Sequence, residues 1–215
     1  TNLVTGIAGA YLDSSPMVAI TGQVARQFIG LDAFQEVDIT GITLPITKHN
    51  YLVMEGAKLA EAVHQAFFIA RNGRPGPVLL DIPRDVFVEE ASYNPEQEYD
   101  FERLKPTLHG HPAQVKKAAH LINESRRPVI LAGRGVIVSG ACPDMVALAE
   151  KAQMPVVNTL LGLGSIPQSH FLSLGMLGMH GSAYANKAIS HADLIVALGM
   201  RFDDRATANV NGFAT

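Results

Sequence analysis

A chain of 215 residues, 47% of them hydrophobic and with positive mean hydropathy, is long enough for one large domain or two small ones with well-covered cores. Its formal net charge is -3, and lysine and arginine are scattered with no basic face of interleaved aromatics, which argues against nucleic acid as a partner. No apolar run approaches the length of a membrane span and no signal-peptide pattern opens the chain, while a lone cysteine, Cys142, excludes an internal disulfide framework; a reducing, cytoplasmic setting is expected, with no membrane partner.

Residues 1–11 mix small and apolar side chains and read as a helix entered without a cap, so an internal piece of a longer protein is expected. Asp13-Ser-Ser-Pro16 breaks that pattern, and Met17-Val-Ala-Ile-Thr21 reads as a buried strand. From Gly22 to Lys48 no helical or strand period is sustained, and polar Gln23, Arg26, Gln35, Glu36 and Lys48 stand beside apolar Phe28 and Phe34. A long loop of this composition is expected to be an interface, with a cofactor or with a second subunit. Leu59, Ala62, Val63, Ala66 and Ala70 recur at the spacing of one helix face, which predicts a covering helix from Glu55 to Arg71 ended near Gly73. Arg74-Pro-Gly-Pro77 then turns the chain into Val78–Pro83, apolar enough for a central parallel strand with Arg84 and Asp85 at its carboxyl end.

Between Glu89 and His111 the composition shifts to Glu, Tyr, Asn, Pro and Gln without a period, as in a linker. His109 and His111 lie there without further metal-ligand candidates and read as solvated loop residues. Pro112 opens a helix with a stripe of Val115, Ala118, Ala119 and Ile122. Pro128–Ala132 is a strand leading into Gly133-Arg-Gly135, and a helix is predicted from near Ser139 with Val146, Ala149 and Ala152 inward, carrying Cys142 as a small apolar residue. Met154–Thr159 is the next strand, followed by the turn Leu160–Gly164, and Asp193–Gly199 supplies a third strand before the charged cluster Arg201, Asp203, Asp204 and Arg205. Residues 211–215 stop just after a strand and a turn, with no helix to cover the sheet, which again is expected of an internal piece. The alternation predicts an α/β fold of parallel sheets flanked by helices.

Three strand ends in the second half carry glycines: Gly133 and Gly135, Gly162 and Gly164, and Gly199. Backbone without side chains can approach a phosphate or flat ring, which suggests a nucleotide-like ligand, although tight turns alone could explain each glycine. Neither the G-x-G-x-x-G fingerprint nor a phosphate loop is present, and no nucleophile elbow, Cys-x-x-Cys pair or His-Glu-x-x-His helix occurs. Asp203 and Asp204, flanked by Arg201 and Arg205, read as ion-paired loop residues rather than a metal pair. On spacing alone, a solvated charged turn accounts for this cluster slightly better than a ligand site.

The runs ITGQV, LDAFQEVDITGITLPITKHN, GRPGPVLLDIPRDV, LGMLGMHG and GMRFDDR, in that order, closely resemble the catalytic subunits of the acetohydroxyacid synthase (acetolactate synthase) family of thiamine-diphosphate enzymes. The likeness covers essentially the whole chain. It implies that residues 1–88 are the C-terminal half of a pyrimidine-binding domain, 89–111 a linker, and 112–215 a Rossmann-like central FAD-binding domain, incomplete here. It also implies a transferase of branched-chain amino acid biosynthesis, which decarboxylates pyruvate and joins the two-carbon unit to a second 2-keto acid, pyruvate or 2-ketobutyrate. The cofactors implied are thiamine diphosphate, FAD and Mg2+. By motif match Gln35 lies near thiamine diphosphate, Phe34 and Met179 shape the acceptor pocket, and Arg205 binds the carboxylate of the second keto acid. The flavin contacts fall on Arg74, Gly133, Gly135, Thr159, Leu160, Leu177, Gly178, Met179, His180, Gly199, Met200, Arg201, Phe202 and Asp203. No metal ligand is implied within the chain. A homodimer or tetramer is implied because the thiamine-diphosphate sites of this family form between subunits, with a small regulatory subunit as a further possible partner.

Two positions depart from the family pattern: Ala25 stands where many members have proline, and Arg84 where lysine is usual. Both line the channel to the family's active site, so weaker sulfonylurea binding is expected. The glutamate that activates the aminopyrimidine and the segment that holds Mg2+ and diphosphate fall outside these residues, so the isolated chain is expected to be inactive. The alternatives are another thiamine-diphosphate carboligase or decarboxylase, such as glyoxylate carboligase or sulfoacetaldehyde acetyltransferase, or a stand-alone nucleotide-binding module.

Overall fold

The computed structural model describes residues 1–207 together with Gly212 and Phe213, so the end of the chain read from 211–215 lies largely outside the described residues. The chain divides into two units, Thr1–Leu108 and His109–Thr215. In the first, α1 (Val4–Leu12), β1 (Met17–Gln23), α2 (Ile39–Thr43), β2 (His49–Leu52), α3 (Leu59–Arg71) and β3 (Pro77–Pro83) follow in order. The strands form a parallel sheet with β3 between β1 and β2. All seven residues of β3 are buried, as a central parallel strand requires. Successive side chains of a strand point to opposite faces, and β3 shows it. Val78, Leu80 and Ile82 pack on Ala66 and Ala70 of α3, whereas Leu79 packs on Ile7 of α1 and Ile39 of α2. Lys48 donates to the carbonyls of Ile69 and Asn72, closing the C-terminal end of α3, and burial holds its ammonium pKa below the usual range.

The expected helix and strands of this unit are present, but one strand is longer than expected and two elements are additional. The strand β1 runs on to Gln23, α2 spans one turn, and β2 has four residues of mixed exposure. Elements this short cannot display a period, which is why no helix or strand is legible between Gly22 and Leu52. Part of the segment read as a linker lies along α3: the ring of Tyr99 stands 4.9 Å from that of His64, and Phe101 5.2 Å from Phe68.

In the second unit α4 (Pro112–Glu124), β4 (Pro128–Ala132), α5 (Arg134–Val138), α6 (Cys142–Ala152), β5 (Val156–Asn158), β6 (Ser173–Met176), α7 (Ala183–His191), β7 (Leu194–Leu198) and α8 (Asp204–Thr207) build a four-stranded parallel sheet of order β6-β5-β4-β7. One face, with Ile130, Ala132 and Val156, packs on Met145 and Ala149 of α6; the other, with Val129, Leu131 and Val157, packs on Ala185 and Ile189 of α7. Cys142 begins α6, half-buried against the first of these clusters.

Four readings are corrected here. The helix expected from near Ser139 begins at Cys142 as α6, and a short helix, α5, precedes it over Arg134–Val138, the two divided at Gly140, whose φ of 71° leaves the right-handed region. The strand expected over Met154–Thr159 pairs only through Val156–Asn158. The stripe of α4 is mostly uncovered: Ile122 packs on the core, but Val115 is 59% exposed and Ala118 and Ala119 are exposed too. Only the last turn of that helix meets the described sheet. His111 is not a free loop residue, because its Nδ1 accepts from the Ala113 N–H and caps α4.

Candidate functional site

All strands in each sheet are parallel, so their carboxyl ends share one edge, where loops and unpaired backbone N–H groups converge. In the first unit this edge carries Gln23, Leu52 and Pro83, and the Gly22–Lys48 stretch leaves from it. A cavity of about 360 Å³ opens there, lined by Thr1, Asn2, Leu3, Thr21, Gly22, Gln23, Gln35, Val37 and Ile39. Gln35 is exposed at its rim, and the neighbouring Phe34 is 89% exposed.

The backbone of Gln35 is left-handed, with φ 63°, a conformation that costs a side-chain-bearing residue about 1–2 kcal/mol and persists only where its surroundings fix it. On one side the carboxylate of Glu36 accepts from the N–H groups of Gly30 and Ala33, tying the preceding turn. Those bonds, Gly30 first, hold the Glu36 carboxyl below the usual carboxylate range. On the other side the carbonyl of Val37 accepts from Gln23 Nε2 at 2.7 Å, and the same nitrogen donates to Asp81 Oδ2 at 3.0 Å. Asp81, 1% exposed on β3, also accepts from the Thr21 hydroxyl at 2.8 Å. Burial raises its pKa, partly countered by the bonds from Thr21 and Gln23. A second tie runs through Arg26, read from the sequence only as one of several polar residues of this loop. Its Nε meets Asp85 Oδ2 at 2.6 Å, Nη2 meets Glu89 Oε2 at 3.1 Å and Nη1 donates to the Met54 carbonyl at 2.9 Å, joining the loops beyond all three strands.

In the second unit every candidate residue lies just beyond a strand's carboxyl end: Gly133 and Gly135 after β4, Thr159 and Leu160 after β5, Leu177 to His180 after β6, and Gly199 to Arg205 after β7. Several large apolar groups stand exposed on this edge, Leu160 at 67%, Met179 at 82% and Phe202 at 58%, beside Arg201 and His180. The glycines have a local reason as well. A Cβ on Gly133 would lie 2.5 Å from the Gly199 carbonyl oxygen, one on Gly162 2.3 Å from that of Ala132, and one on Gly178 2.6 Å from that of Arg205. Backbone packed against backbone therefore accounts for these positions.

Two asparagines brace the same loops. Asn158, buried at the end of β5, donates to the Gly162 carbonyl and the Ser165 hydroxyl. Asn186 on α7 pairs with both backbone groups of Gly178, at 2.9 and 3.0 Å. Neither was picked out from the sequence, because a polar residue inside a strand or helix signals nothing until its partners are known. Arg201 pairs with Asp203 at 3.1 Å and Arg205 with Asp204 at 3.7 Å, the ion-paired arrangement expected of this cluster. A cavity of about 430 Å³ beside β6 is lined by Leu163, Gln168, Ser173 to Met176, His180 to Ser182 and Tyr184; of the candidate residues it includes only His180. Arg74 belongs to the first unit, where it donates to Ser14 and lies 5.8 Å from the Tyr11 ring. Among the described residues no three His, Cys, Asp or Glu side chains converge as a metal site, and no helix is long and apolar enough to cross a membrane.

Comparison with known proteins accords with these two parallel-sheet units. Residues 1–42 match the family described as thiamine pyrophosphate enzyme, N-terminal TPP binding domain, and residues 115–215 match thiamine pyrophosphate enzyme, central domain. The whole chain is 51% identical to a probable acetolactate synthase large subunit of Methanocaldococcus jannaschii, 50% identical to an acetolactate synthase of Arthrospira platensis and 49% identical to one of Mycobacterium leprae. It spans 37%, 38% and 34% of their respective lengths. With both domain matches in order and similarity along its full length to acetolactate synthases, the chain belongs to the thiamine pyrophosphate enzyme family.

Proposed function

We propose that this chain is part of the catalytic subunit of an acetolactate synthase, which condenses two 2-keto acids with loss of carbon dioxide. The observation that carries the reading is identity of 50–51% over the entire chain to proteins of that name. With pyruvate as both donor and acceptor, two pyruvates give one acetolactate and one carbon dioxide; 2-ketobutyrate as acceptor gives acetohydroxybutyrate. When bound, thiamine diphosphate supplies the carbon nucleophile and the electron sink for the decarboxylation. The chain's own groups bind and orient. Gln35, exposed at the rim of the first cavity on a braced left-handed turn, is suited to hold the cofactor through its amide. Phe34 and Met179 offer exposed apolar surface to the acceptor, and Arg205 offers a planar guanidinium to its carboxylate.

FAD belongs to the same proposal. What supports it is the row of loops beyond β4, β5, β6 and β7, where exposed Leu160, Met179 and Phe202 stand beside backbone N–H groups and charged side chains. Gly133, Gly135, Thr159, Leu160, Leu177, Gly178, Met179, His180 and Gly199 through Asp203 would hold the flavin there, with Arg74 as a further contact. Mg2+ is proposed as a cofactor of the whole protein, with no ligand assigned in this chain. The domain limits 1–88, 89–111 and 112–215, an assembly of two or four catalytic subunits with a small regulatory subunit, and a cytoplasmic location complete the reading.

The test is product analysis on the protein that carries this chain, supplied with thiamine diphosphate, Mg2+, FAD and pyruvate alone. Acetolactate and carbon dioxide in equal amounts are expected. Turnover of glyoxylate or sulfoacetaldehyde with none of pyruvate would replace the reading with a different carboligase.

A further inference from the structure

We propose that Gln23 and Asp81 are positioning residues for thiamine diphosphate, acting as a strut that holds the Gln35 turn against the central strand; this rests on the reading that Gln35 meets the cofactor. The strut is fully bonded. Gln23 Nε2 lies between two acceptors, the Val37 carbonyl at 2.7 Å and Asp81 Oδ2 at 3.0 Å, while its Oε1 accepts from the Val24 N–H at 2.8 Å. Each polar atom of the amide has work, so its orientation is set by chemistry. Asp81 is the anchor, buried on a strand paired on both sides and bonded by Thr21 through its other oxygen.

A buried carboxylate on a central strand has no packing advantage over an apolar residue, and desolvating it is unfavourable. Its partners show what it supports. The strut ends at Val37, two residues beyond Gln35, and the Glu36 carboxylate ties the turn immediately before Gln35. Gln35 is thereby held from both sides in a left-handed conformation it would otherwise leave. A turn that is competent only part of the time weakens apparent affinity in proportion to that fraction.

The experiment compares Gln23→Met, the shorter Gln23→Asn, Asp81→Asn and Gln35→Ala in the protein that carries this chain, by amide hydrogen exchange over residues 30–38 and by titration calorimetry with thiamine diphosphate and Mg2+. Gln23→Met and Gln23→Asn are expected to speed exchange across the turn and to weaken cofactor binding about tenfold, with kcat at saturating cofactor within about twofold of the parent, because saturation restores the competent turn. Asp81→Asn is expected to retain most of the affinity, since the Asn oxygen still accepts from Gln23 and the Thr21 hydroxyl can turn to accept from its nitrogen. Unchanged exchange or unchanged affinity in both Gln23 variants, with Gln35→Ala weakening binding, overturns the strut alone. Gln35→Ala without effect on binding overturns the cofactor reading and the strut with it.

Discussion

Gly135 and Gly199 face each other so closely that a methyl group added to either would lie 2.6 Å from the α-carbon of the other, and the Gly135 N–H donates to the Gly199 carbonyl at 2.8 Å. The loops beyond β4 and β7 are thus locked together at the backbone. Gly135→Ala or Gly199→Ala must push one loop off the other and is expected to lower unfolding free energy by about 3 kcal/mol. Gly140→Ala is the control for Gly199→Ala: both backbones are left-handed, φ 71° and 56°, but nothing lies within 4 Å of a Cβ added at Gly140, so only a conformational cost of about 1 kcal/mol is expected there. Urea denaturation of the three variants would separate contact from conformation. Equal losses at Gly199 and Gly140, with none at Gly135, would remove the argument from contact.

Asn158 gives a second test of how the site edge is held. Its side chain is buried and its nitrogen serves both the Gly162 carbonyl and the Ser165 hydroxyl. Asn158→Ala leaves these groups without their donor, at a cost of about 2–3 kcal/mol. Hydrogen exchange should accelerate over residues 159–165 ahead of β4, because the loop loses its brace while the central strand keeps both neighbours.

Much of the fold was legible because β3, β4 and the stretch around β7 are apolar runs bounded by Gly, Pro or charge, and α3 carries a clean one-face stripe. What escaped was short or polar. The strand β2, His-Asn-Tyr-Leu, and β6, Ser-Leu-Gly-Met, each have only four residues and exist through pairing with a buried neighbour. Sequence likewise marked Gln35 through a resembling run but could not mark Asp81, which lies 46 residues further on and acts through Gln23. Arg26 became visible only when the loops beyond three strands were brought together. Glycine clusters at three strand ends read as a ligand cradle, with tight turns as the alternative. The close approaches at Gly133, Gly135 and Gly162 show that packing requires them.

Arg205 carries a prediction that depends on the proposed function. It is exposed and its pairing with Asp204, at 3.7 Å, is loose, so the guanidinium can turn to a ligand without losing a strong partner. Arg205→Lys keeps the charge and removes the planar two-point donor, and should raise the KM for the acceptor keto acid about tenfold. Thermal stability should hardly move. A parent-like KM would remove Arg205 from carboxylate binding.

Asp193 supplies the last prediction, in acid stability. Its carboxylate, just before β7, accepts from the Ser125 hydroxyl and from the N–H groups of Arg126 and Arg127, and these bonds, the Ser125 hydroxyl first, lower its pKa to about 2. An aspartate in the unfolded chain titrates near about 3.9, so the folded state binds its proton less readily. The stabilisation is therefore complete above about pH 3.9 and is lost as pH falls toward about 2. Asp193→Asn does not titrate there. The urea midpoints of parent and Asp193→Asn should differ at neutral pH and draw together as pH drops through that window. Ser125→Ala removes the largest cause of the shift, so its acid loss should be smaller than the parent's and should be complete at a higher pH. A constant gap between parent and Asp193→Asn down to about pH 2 would show that the carboxylate charge is not what ties β7 to the turn before β4.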